Sequence, residues 1–336
     1  MGREGRVRRP RLDRLFRALL ESLEDHTRVP VLRSLLLGLS TSPAIGRVLD
    51  RVPASRALVR RFVAGERPED ALDVLTRLDA TGLLSAVTYL GENVVTAEAA
   101  RAAADTYCHL LDEIRRRGLT TTPSLKLTHL GLDLGEDIAL ENAERVLDHA
   151  AGTLVWLDME SSAYTERTLQ LYRRLRARWK NVACVVQAYL RRTETDVRAL
   201  IPGGVTVRLC KGAYREPPDL AFPRKEDVDR SYARLAGRLL SPEAQAAGAY
   251  PGFATQDERM IRVIIDRTRA LGIAPDRFEF QMLYGIRPDL HRALLDAGVR
   301  LRVLVPFGED WYGYFVRRLA ERPANLFFVL KNLRPR

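Results

Sequence analysis

The sequence lacks the features that mark several protein classes. Its 336 residues include three cysteines at no CxxC spacing, so neither a disulfide framework nor a metal site is expected, and a reducing compartment fits. No stretch approaches the ~18 consecutive apolar residues of a membrane-spanning helix. No apolar segment follows the N-terminal arginines as it would in a signal peptide, and no GxGxxG follows a strand-like run.

Lysine is scarce: it supplies five of the 54 basic residues of a chain whose formal net charge is +11. We attribute the arginine excess to genomic coding bias. Part of it is local, because residues 1–17 hold seven arginines against Glu4 and Asp13. This arm is either a solvated terminus or a contact for an anionic membrane surface. Nucleic-acid binding is not expected, because basic and acidic residues alternate elsewhere and no binding motif accompanies them.

Hydrophobic patterning divides the chain in two. Residues 10–80 repeat apolar positions at helical spacing, and from about residue 84 short apolar runs alternate with charged helical stretches. The eight strand-like runs are 84–90, 124–128, 153–158, 182–187, 205–210, 252–255, 278–282 and 301–305. This alternation predicts parallel strands joined by crossovers, and eight units favour a barrel over a doubly wound sheet. We therefore predict a (β/α)8 TIM-type barrel over 81–336, preceded by a helical arm over 1–80 that packs on it.

Polar residues stand at the ends of several predicted strands, where barrel enzymes place their catalytic groups. They are Lys126, Asp158, Glu160, Gln187, Arg208, Lys211, Thr255, Gln256, Asp257, Glu279 and Gln281. Any one of them could simply fill an interior layer of the barrel. Several buried charges must compensate each other or a ligand, because an unpaired buried ion is costly. The set therefore indicates a ligand site more strongly than its members do.

The segment after residue 308 carries a second signal. Tyr314, Arg317, Arg318 and Glu321 lie at i, i+3, i+4 and i+7, which places them on one face of a predicted helix. Two adjacent guanidinium groups can hold a small carboxylate. The alternative is a solvated basic patch that closes the helix.

Several longer strings then match a known family. They are SLKLTHLGLDL (124–134), LDMESS (157–162), VVQAYLRRTETDV (185–197), VRLCKGAYRE (207–216), FEFQMLYGIR (278–287) and VPFGEDWYGYFVRRLAERPANLFFVLKNL (305–333), with LVRRFVAGE (58–66) and YLGENV (89–94) upstream. In this order they resemble the proline dehydrogenase family, specifically its short monofunctional bacterial members. The resemblance covers roughly residues 55–333.

The resemblance implies a distorted (β/α)8 barrel that holds FAD non-covalently at the carboxyl ends of its strands. It implies oxidation of L-proline to Δ1-pyrroline-5-carboxylate, the first step of proline catabolism to glutamate. A hydride passes from C5 of proline to N5 of FAD, and the electrons leave to a membrane quinone. The implied location is the cytoplasm, either free or in peripheral contact with the inner face of the cytoplasmic membrane.

The matching positions carry the family's site roles. Asp158 and Arg208 are the expected catalytic residues, with Arg208 near the flavin N5, where its fixed charge would favour the reduced anionic flavin. Substrate binding is expected from Lys126, Tyr314, Arg317 and Arg318. Cofactor binding is expected from Met159, Gln187, Arg208, Lys211, Gly212, Ala213, Thr255, Gln256 and Glu321. Lys126 and Asp158 are expected to form a pair that shapes the pocket.

Two positions depart from the family pattern. Gln256 stands where the family commonly has histidine, and Leu304 stands where it commonly has tyrosine. These departures bear on cofactor affinity, substrate affinity or ring-size preference. One rival enzyme class remains open at this stage: a Schiff-base lyase on the same barrel, with Lys126 or Lys211 as nucleophile.

Overall fold

The computed structural model describes residues 59–321, with side chains from residue 59 to residue 318. It divides into two compact units. One unit is Phe62–Glu309, and the described part of the other is Val59–Arg61 together with Asp310–Glu321. The predicted N-terminal arm at residues 1–17 and most of the 1–80 segment lie outside the described residues, so the predicted boundary at residue 80 stays a prediction.

The larger unit is a closed barrel of eight parallel strands in sequential order, β1 to β8. The strands are Leu84–Tyr89 (β1), Thr121–Leu125 (β2), Val155–Leu157 (β3), Val182–Gln187 (β4), Thr206–Cys210 (β5), Tyr250–Ala254 (β6), Glu279–Leu283 (β7) and Leu301–Phe307 (β8). Strand β1 pairs with β8, which closes the sheet. The predicted barrel is confirmed.

Helices cover the outside of the barrel. They are Pro68–Asp79 (α1), Ala97–Arg116 (α2), Glu136–Ala150 (α3), Ser162–Arg178 (α4), Thr193–Leu200 (α5), Lys225–Leu239 (α6), Pro242–Ala246 (α7), Glu258–Ala270 (α8) and Pro288–Asp296 (α9); helix α10, Trp311–Glu321, belongs to the smaller unit. Helix α2 shows why these segments fold and dock. The Thr96 hydroxyl caps its first turn, and the buried Tyr107 hydroxyl donates to the Ser124 carbonyl of β2 at 2.8 Å. None of the helices in the described part of the chain combines the length and apolarity needed to cross a bilayer.

Alternation along the strands separates the helix-facing core from the barrel interior. In β5, Val207 and Leu209 are fully buried members of the hydrophobic core. Arg208 lies between them and hydrogen-bonds to side chains of β2 and β7, so it points inward. The barrel interior is therefore polar at this level, and it positions the candidate site.

Several sequence-based boundaries differ from the structure by a few residues, and two of these differences bear on the site. Strand β2 ends at Leu125 and not at residue 128, because the Lys126 carbonyl already accepts turn hydrogen bonds from His129 and Leu130. Residues 60–66 are not helical as the periodicity predicted. Their backbone pairs with the end of β8 instead, where the Ala64 amide donates to the Pro306 carbonyl at 2.9 Å.

Candidate active site

An ion pair between Arg208 and Asp158 occupies the barrel interior. Nη1 of Arg208 lies 2.6 Å from Oδ1 of Asp158 and 2.8 Å from Oγ of Ser124, which itself donates to Asp158. The guanidinium carbon also lies 4.6 Å from the centre of the Trp156 ring, within the range of a cation–π contact. Burial lowers the pKa of Arg208, and the charge of Asp158 opposes that effect. The two expected catalytic residues are thus brought together.

One atom of this cluster has no partner. Nη2 of Arg208 is buried and makes no hydrogen bond to any residue of the described chain. The whole side chain is only 5% exposed, and a buried donor left unpaired costs stability. An acceptor on a bound ligand would satisfy it. The polar edge of a flavin ring offers such acceptors, so this position fits the cofactor that the sequence motifs imply.

Lys126 has a different partner from the one expected. Its ammonium group lies 3.5 Å from Oε1 of Glu92, in the loop after β1. Among the described residues, Asp158 forms its ion pair with Arg208 and not with Lys126. The expected Lys126–Asp158 pair is therefore wrong in this structure. The reason is geometric: Ser124 and Arg208 already hold Asp158, and β2 ends before Lys126.

Glu160 links three strand ends beside this cluster. Its carboxylate accepts hydrogen bonds from the backbone N–H and the hydroxyl of Thr128, at 3.1 and 2.5 Å. Its carbonyl accepts from Nε2 of Gln187 at 2.8 Å. Burial raises the pKa of Glu160 to about 7, although the bonds from Thr128 oppose the rise. Gln187 and Met159, both expected cofactor residues, are buried next to it.

The segment after β5 holds the predicted cofactor residues Lys211, Gly212 and Ala213. The ammonium of Lys211 lies 2.5 Å from Asp229 and 2.9 Å from Asp257, so it bridges two carboxylates. All three predicted residues are partly exposed. Farther along, the Glu216 carboxylate accepts from the Ser162 backbone N–H at 2.7 Å, which ties this segment to the start of α4.

The remaining expected residues of the barrel follow β6 and lie in β8. Thr255 is buried, and its hydroxyl accepts from the backbone N–H of Asp257 at 3.1 Å. Gln256 is partly exposed beside it. Leu304 is partly buried in β8, two residues from Arg302 and therefore on the same face of the strand.

Helix α10 carries the predicted arginine pair. The helix is formed as predicted, with Arg318 buried and Arg317 partly exposed. The Arg318 guanidinium carbon lies 5.0 Å from the centre of the Tyr314 ring, which is a cation–π distance. Glu321 ends the helix, and its side chain is outside the described residues.

Several residues of the site were not predicted from the sequence. Ser124 contacts both Arg208 and Asp158, and Trp156 contacts Arg208. Glu92 holds Lys126, and Glu216 anchors the segment after β5. A signal existed for Ser124 in the predicted strand 124–128, where it stands two positions before Lys126 and alternation returns to the same face; the observed β2 ends at Leu125, so that alternation stops before Lys126. Glu92 lies in a loop, where no periodicity could indicate its direction.

Cysteine chemistry does not compete for this site. Cys210 follows Leu209 at the end of β5, and burial raises the pKa of its thiol to about 12. The fully buried Cys184 on β4 also has a pKa raised by burial to about 12. Both thiols are protonated at neutral pH, whereas a nucleophilic cysteine acts as the thiolate.

Comparisons with known proteins agree with the motifs. The family model described as proline dehydrogenase matches residues 71–331. Proline dehydrogenase 2 of Bacillus subtilis (strain 168) is 37% identical over 305 residues, which cover 90% of this chain and 99% of that protein. Proline dehydrogenase of Deinococcus radiodurans is 38% identical over 283 residues, which cover 82% of this chain and 90% of that protein.

A solved structure supports the same grouping. Proline utilization A (PutA) from Bdellovibrio bacteriovorus, inactivated by N-propargylglycine, matches with a TM-score of 0.72 at 26% identity. The match covers 79% of this chain and 32% of that one, so this chain spans about a third of the longer protein. Together with the family match over residues 71–331 and relatives above 30% identity along most of their length, this places the chain in the proline dehydrogenase family.

Proposed function

We propose that this chain oxidises L-proline to Δ1-pyrroline-5-carboxylate with a non-covalent FAD. The observation that carries the proposal is the buried Arg208, whose Nη2 atom lacks an acceptor while its other nitrogens are held. A preorganised positive charge in a water-poor interior stabilises negative charge that develops beside it. The relatives named proline dehydrogenase and the motifs around Arg208 point to the same chemistry.

The residues that would hold FAD lie at the carboxyl ends of β3 to β6. They are Met159, Gln187, Arg208, Lys211, Gly212, Ala213, Thr255 and Gln256, and Glu321 of α10 is proposed from the motif alone. When bound, FAD would accept the hydride that leaves C5 of proline. Gln187 is fixed by the Glu160 carbonyl, and Arg208 is fixed by Asp158, so both present their free atoms without reorganising.

A second group of residues, none of them assigned to the cofactor, is proposed to orient the substrate. Arg317 and Arg318 are proposed to hold the proline carboxylate, an assignment that rests on the family motif. Tyr314 would pack against the ring, and Lys126 would complete the polar wall. Lys126 is held by Glu92, so its position depends on the loop after β1. Accurate orientation matters because hydride transfer needs the donor carbon in one geometry.

The electron acceptor is proposed to be a membrane quinone, as the resemblance implies. The basic arm at residues 1–17 could then give peripheral contact with an anionic membrane. Deleting this arm should reduce association with vesicles that contain anionic lipid. Turnover of proline with a soluble dye should be unchanged, because the arm lies outside the family match.

Anaerobic titration with L-proline tests the proposed reaction. Purified protein should be yellow, should release its flavin on acid precipitation, and should bleach stoichiometrically when L-proline is added. D-proline is the matched control, since it offers the same groups in the opposite handedness. Folded protein that cannot be loaded with FAD, or a bound flavin that L-proline never reduces, would refute the proposal.

The rival Schiff-base lyase is disfavoured by the contacts of both candidate lysines. Lys211 is held by Asp229 and Asp257, and Lys126 is paired with Glu92. A lysine nucleophile must reach the substrate carbonyl with its nitrogen, and both nitrogens are instead in contact with carboxylates. Borohydride treatment in the presence of substrate should leave both lysines unmodified. A covalent adduct at either lysine would favour the lyase.

A further inference from the structure

A ladder of buried polar side chains runs through the barrel behind Arg208. Nε of Arg208 donates to Oε1 of Gln281, and Nε2 of Gln281 donates to Oε1 of Glu279 at 2.6 Å. Glu279 in turn accepts two hydrogen bonds from Arg302, at 2.7 and 3.0 Å. All four residues are buried, and the most exposed of them is Arg302 at 7%.

A glycine makes the first step of this ladder possible. Strand β6 lies between β5 and β7, and its Gly252 is paired with Arg208 of β5 on one side and with Glu279 of β7 on the other. A Cβ at position 252 would stand 2.5 Å from Nε2 of Gln281, which real Cβ contacts do not reach. Gln281 therefore reaches across β6 to Arg208 because β6 presents no side chain there.

Charge balance explains only part of this arrangement. The buried Arg208, Arg302 and Glu279 lie together with the partly buried Asp158, and each ion needs a partner in the barrel interior. Gln281 is neutral and adds nothing to that balance. It fixes Nε of Arg208, while Asp158 and Ser124 fix Nη1. Because the guanidinium is rigid and planar, fixing two of its nitrogens also fixes the direction of Nη2.

We infer that Gln281 is a positioning residue that aims the unpaired Nη2 of Arg208 at the bound flavin, and that Gly252 is the gap that permits it. The inference rests on the proposed function, because it assigns the ladder to a flavin site. A cation held next to the ring stabilises its reduced form, so the direction of Nη2 sets part of the flavin reduction potential.

The test is the midpoint potential of the bound flavin in two variants. Gln281→Met keeps the length of the side chain and removes both hydrogen bonds. Gly252→Ala leaves Gln281 in the chain but displaces its amide. Each variant should lower kcat by roughly tenfold or more, the scale of one charge-assisted hydrogen bond. KM for proline should change little. A tenfold loss of preference for the reduced form corresponds to about 30 mV in a two-electron couple.

Matched controls separate positioning from general damage. Gln170→Met makes the same exchange on the exposed face of α4, and Gly203→Ala adds a methyl group where nothing lies within 4 Å. Both controls should keep the wild-type potential. A merely structural role for Gln281 predicts a lower melting temperature in Gln281→Met and an unchanged potential. That result in either folded variant overturns the inference.

The potential is measured without substrate, so the two proposals fail separately. A wild-type flavin that L-proline cannot reduce would sink the proposed reaction. A shifted potential in Gln281→Met would still support the positioning role in that case. If Gln281→Met does not fold, Gly252→Ala carries the test alone. A wild-type chain that cannot bind flavin would overturn both proposals.

Discussion

Gly212 lies against the ring of Tyr189, so closely that a Cβ on the glycine would overlap the ring atoms. Its φ of +112° is also one that other residues rarely adopt. Tyr189 is buried, and its hydroxyl lies 3.3 Å from Oε1 of Glu216. Tyr189 thus contacts the segment between β5 and α6 at two places, Gly212 and Glu216. The first of these lies within the proposed cofactor residues Lys211 to Ala213.

Gly212→Ala should therefore reduce flavin binding. The added methyl group must push either the Tyr189 ring or the Lys211–Ala213 backbone, and both flank the proposed site. We expect the purified variant to contain less than half of the wild-type flavin, measured by absorbance after acid release. Stability of the flavin-free protein should fall by about 1–3 kcal/mol, the cost of a strained backbone residue.

Gly152→Ala is the matched control for that change. Gly152 also has a positive φ, +93°, but nothing lies within 4 Å of the position its Cβ would take. The backbone penalty is thus kept and the ring overlap is removed. Normal flavin content in Gly152→Ala with loss in Gly212→Ala would assign the effect to Tyr189. Equal flavin content in the two variants would contradict the prediction.

The arginine pair of α10 gives a second prediction. Replacing Arg317 or Arg318 with Met removes the charge and keeps much of the stem. A charge-assisted contact to a carboxylate is worth ~1.5–3 kcal/mol, so kcat/KM for proline should fall roughly 10–150-fold. Flavin content should stay normal. Steady-state kinetics with a dye acceptor measures the loss.

Arginine loss at an unrelated surface provides the comparison. Arg262 is 75% exposed on α8, and Arg262→Met should leave kcat/KM unchanged. Arg→Lys at 317 or 318 should rescue only part of the activity, because lysine lacks the planar fork. Wild-type kcat/KM in both Met variants would support the surface-patch alternative and remove the basis for the carboxylate assignment.

The eight strands and the gathering of polar residues at their carboxyl ends follow from the sequence, but the pairing of Arg208 with Asp158 and of Lys126 with Glu92 does not. Eight apolar runs predict eight strands, and parallel strands bring their carboxyl ends to one rim of the barrel. Which charges then pair depends on side-chain directions after the strand ends. Lys126 lies one residue beyond β2 and pairs with Glu92 of a loop, whose conformation no periodicity encodes.

The ladder behind Arg208 is a second example of side-chain contacts that the sequence does not predict. Alternation places Glu279 and Gln281 on one face of β7, and the sequence alone predicts this. That Gln281 reaches Arg208 depends on Gly252 of the intervening strand. A lone glycine in a strand indicates a close approach of some group. Only the register of β5, β6 and β7 identifies that group as Gln281.

A third prediction concerns the contribution of Lys211 to folding stability and its loss at low pH. Burial alone would raise the pKa of Asp229, but hydrogen bonds from Lys211 and Lys225 outweigh it and hold that pKa below its usual value. A depressed carboxyl pKa stabilises the fold above the unfolded pKa, and the contribution is lost as pH falls through the folded one. Lys211→Met should thus cost roughly 1–2 kcal/mol at pH 7, since Lys225 and Arg259 still contact Asp229.

Denaturant unfolding at several pH values measures that cost. The difference between wild type and Lys211→Met should shrink toward zero as the pH is lowered into the range where both Asp229 and Asp257 are protonated in the folded and unfolded states, because Lys211 contacts both carboxylates and holds the pKa of each below its usual value. Lys180→Met changes an exposed lysine and should be neutral throughout. A cost in Lys211→Met that persists undiminished at low pH would mean that lost packing, and not the ion pairs, causes it.

The last prediction follows from Glu160. Because burial raises its folded pKa to about 7, above the unfolded value, the folded state binds the extra proton between about pH 4.5 and 7. The contribution of Glu160 to the free energy of unfolding of the wild type therefore falls as pH rises through this window. Glu160→Gln cannot titrate; its amide oxygen can still accept from the Thr128 N–H, and its amide nitrogen can donate to the Thr128 hydroxyl. Relative to wild type it should gain on the order of 2–3 kcal/mol between pH 4.5 and 7.5. The exposed Glu141→Gln should gain nothing, and parallel stability curves for Glu160→Gln and wild type would refute the raised pKa.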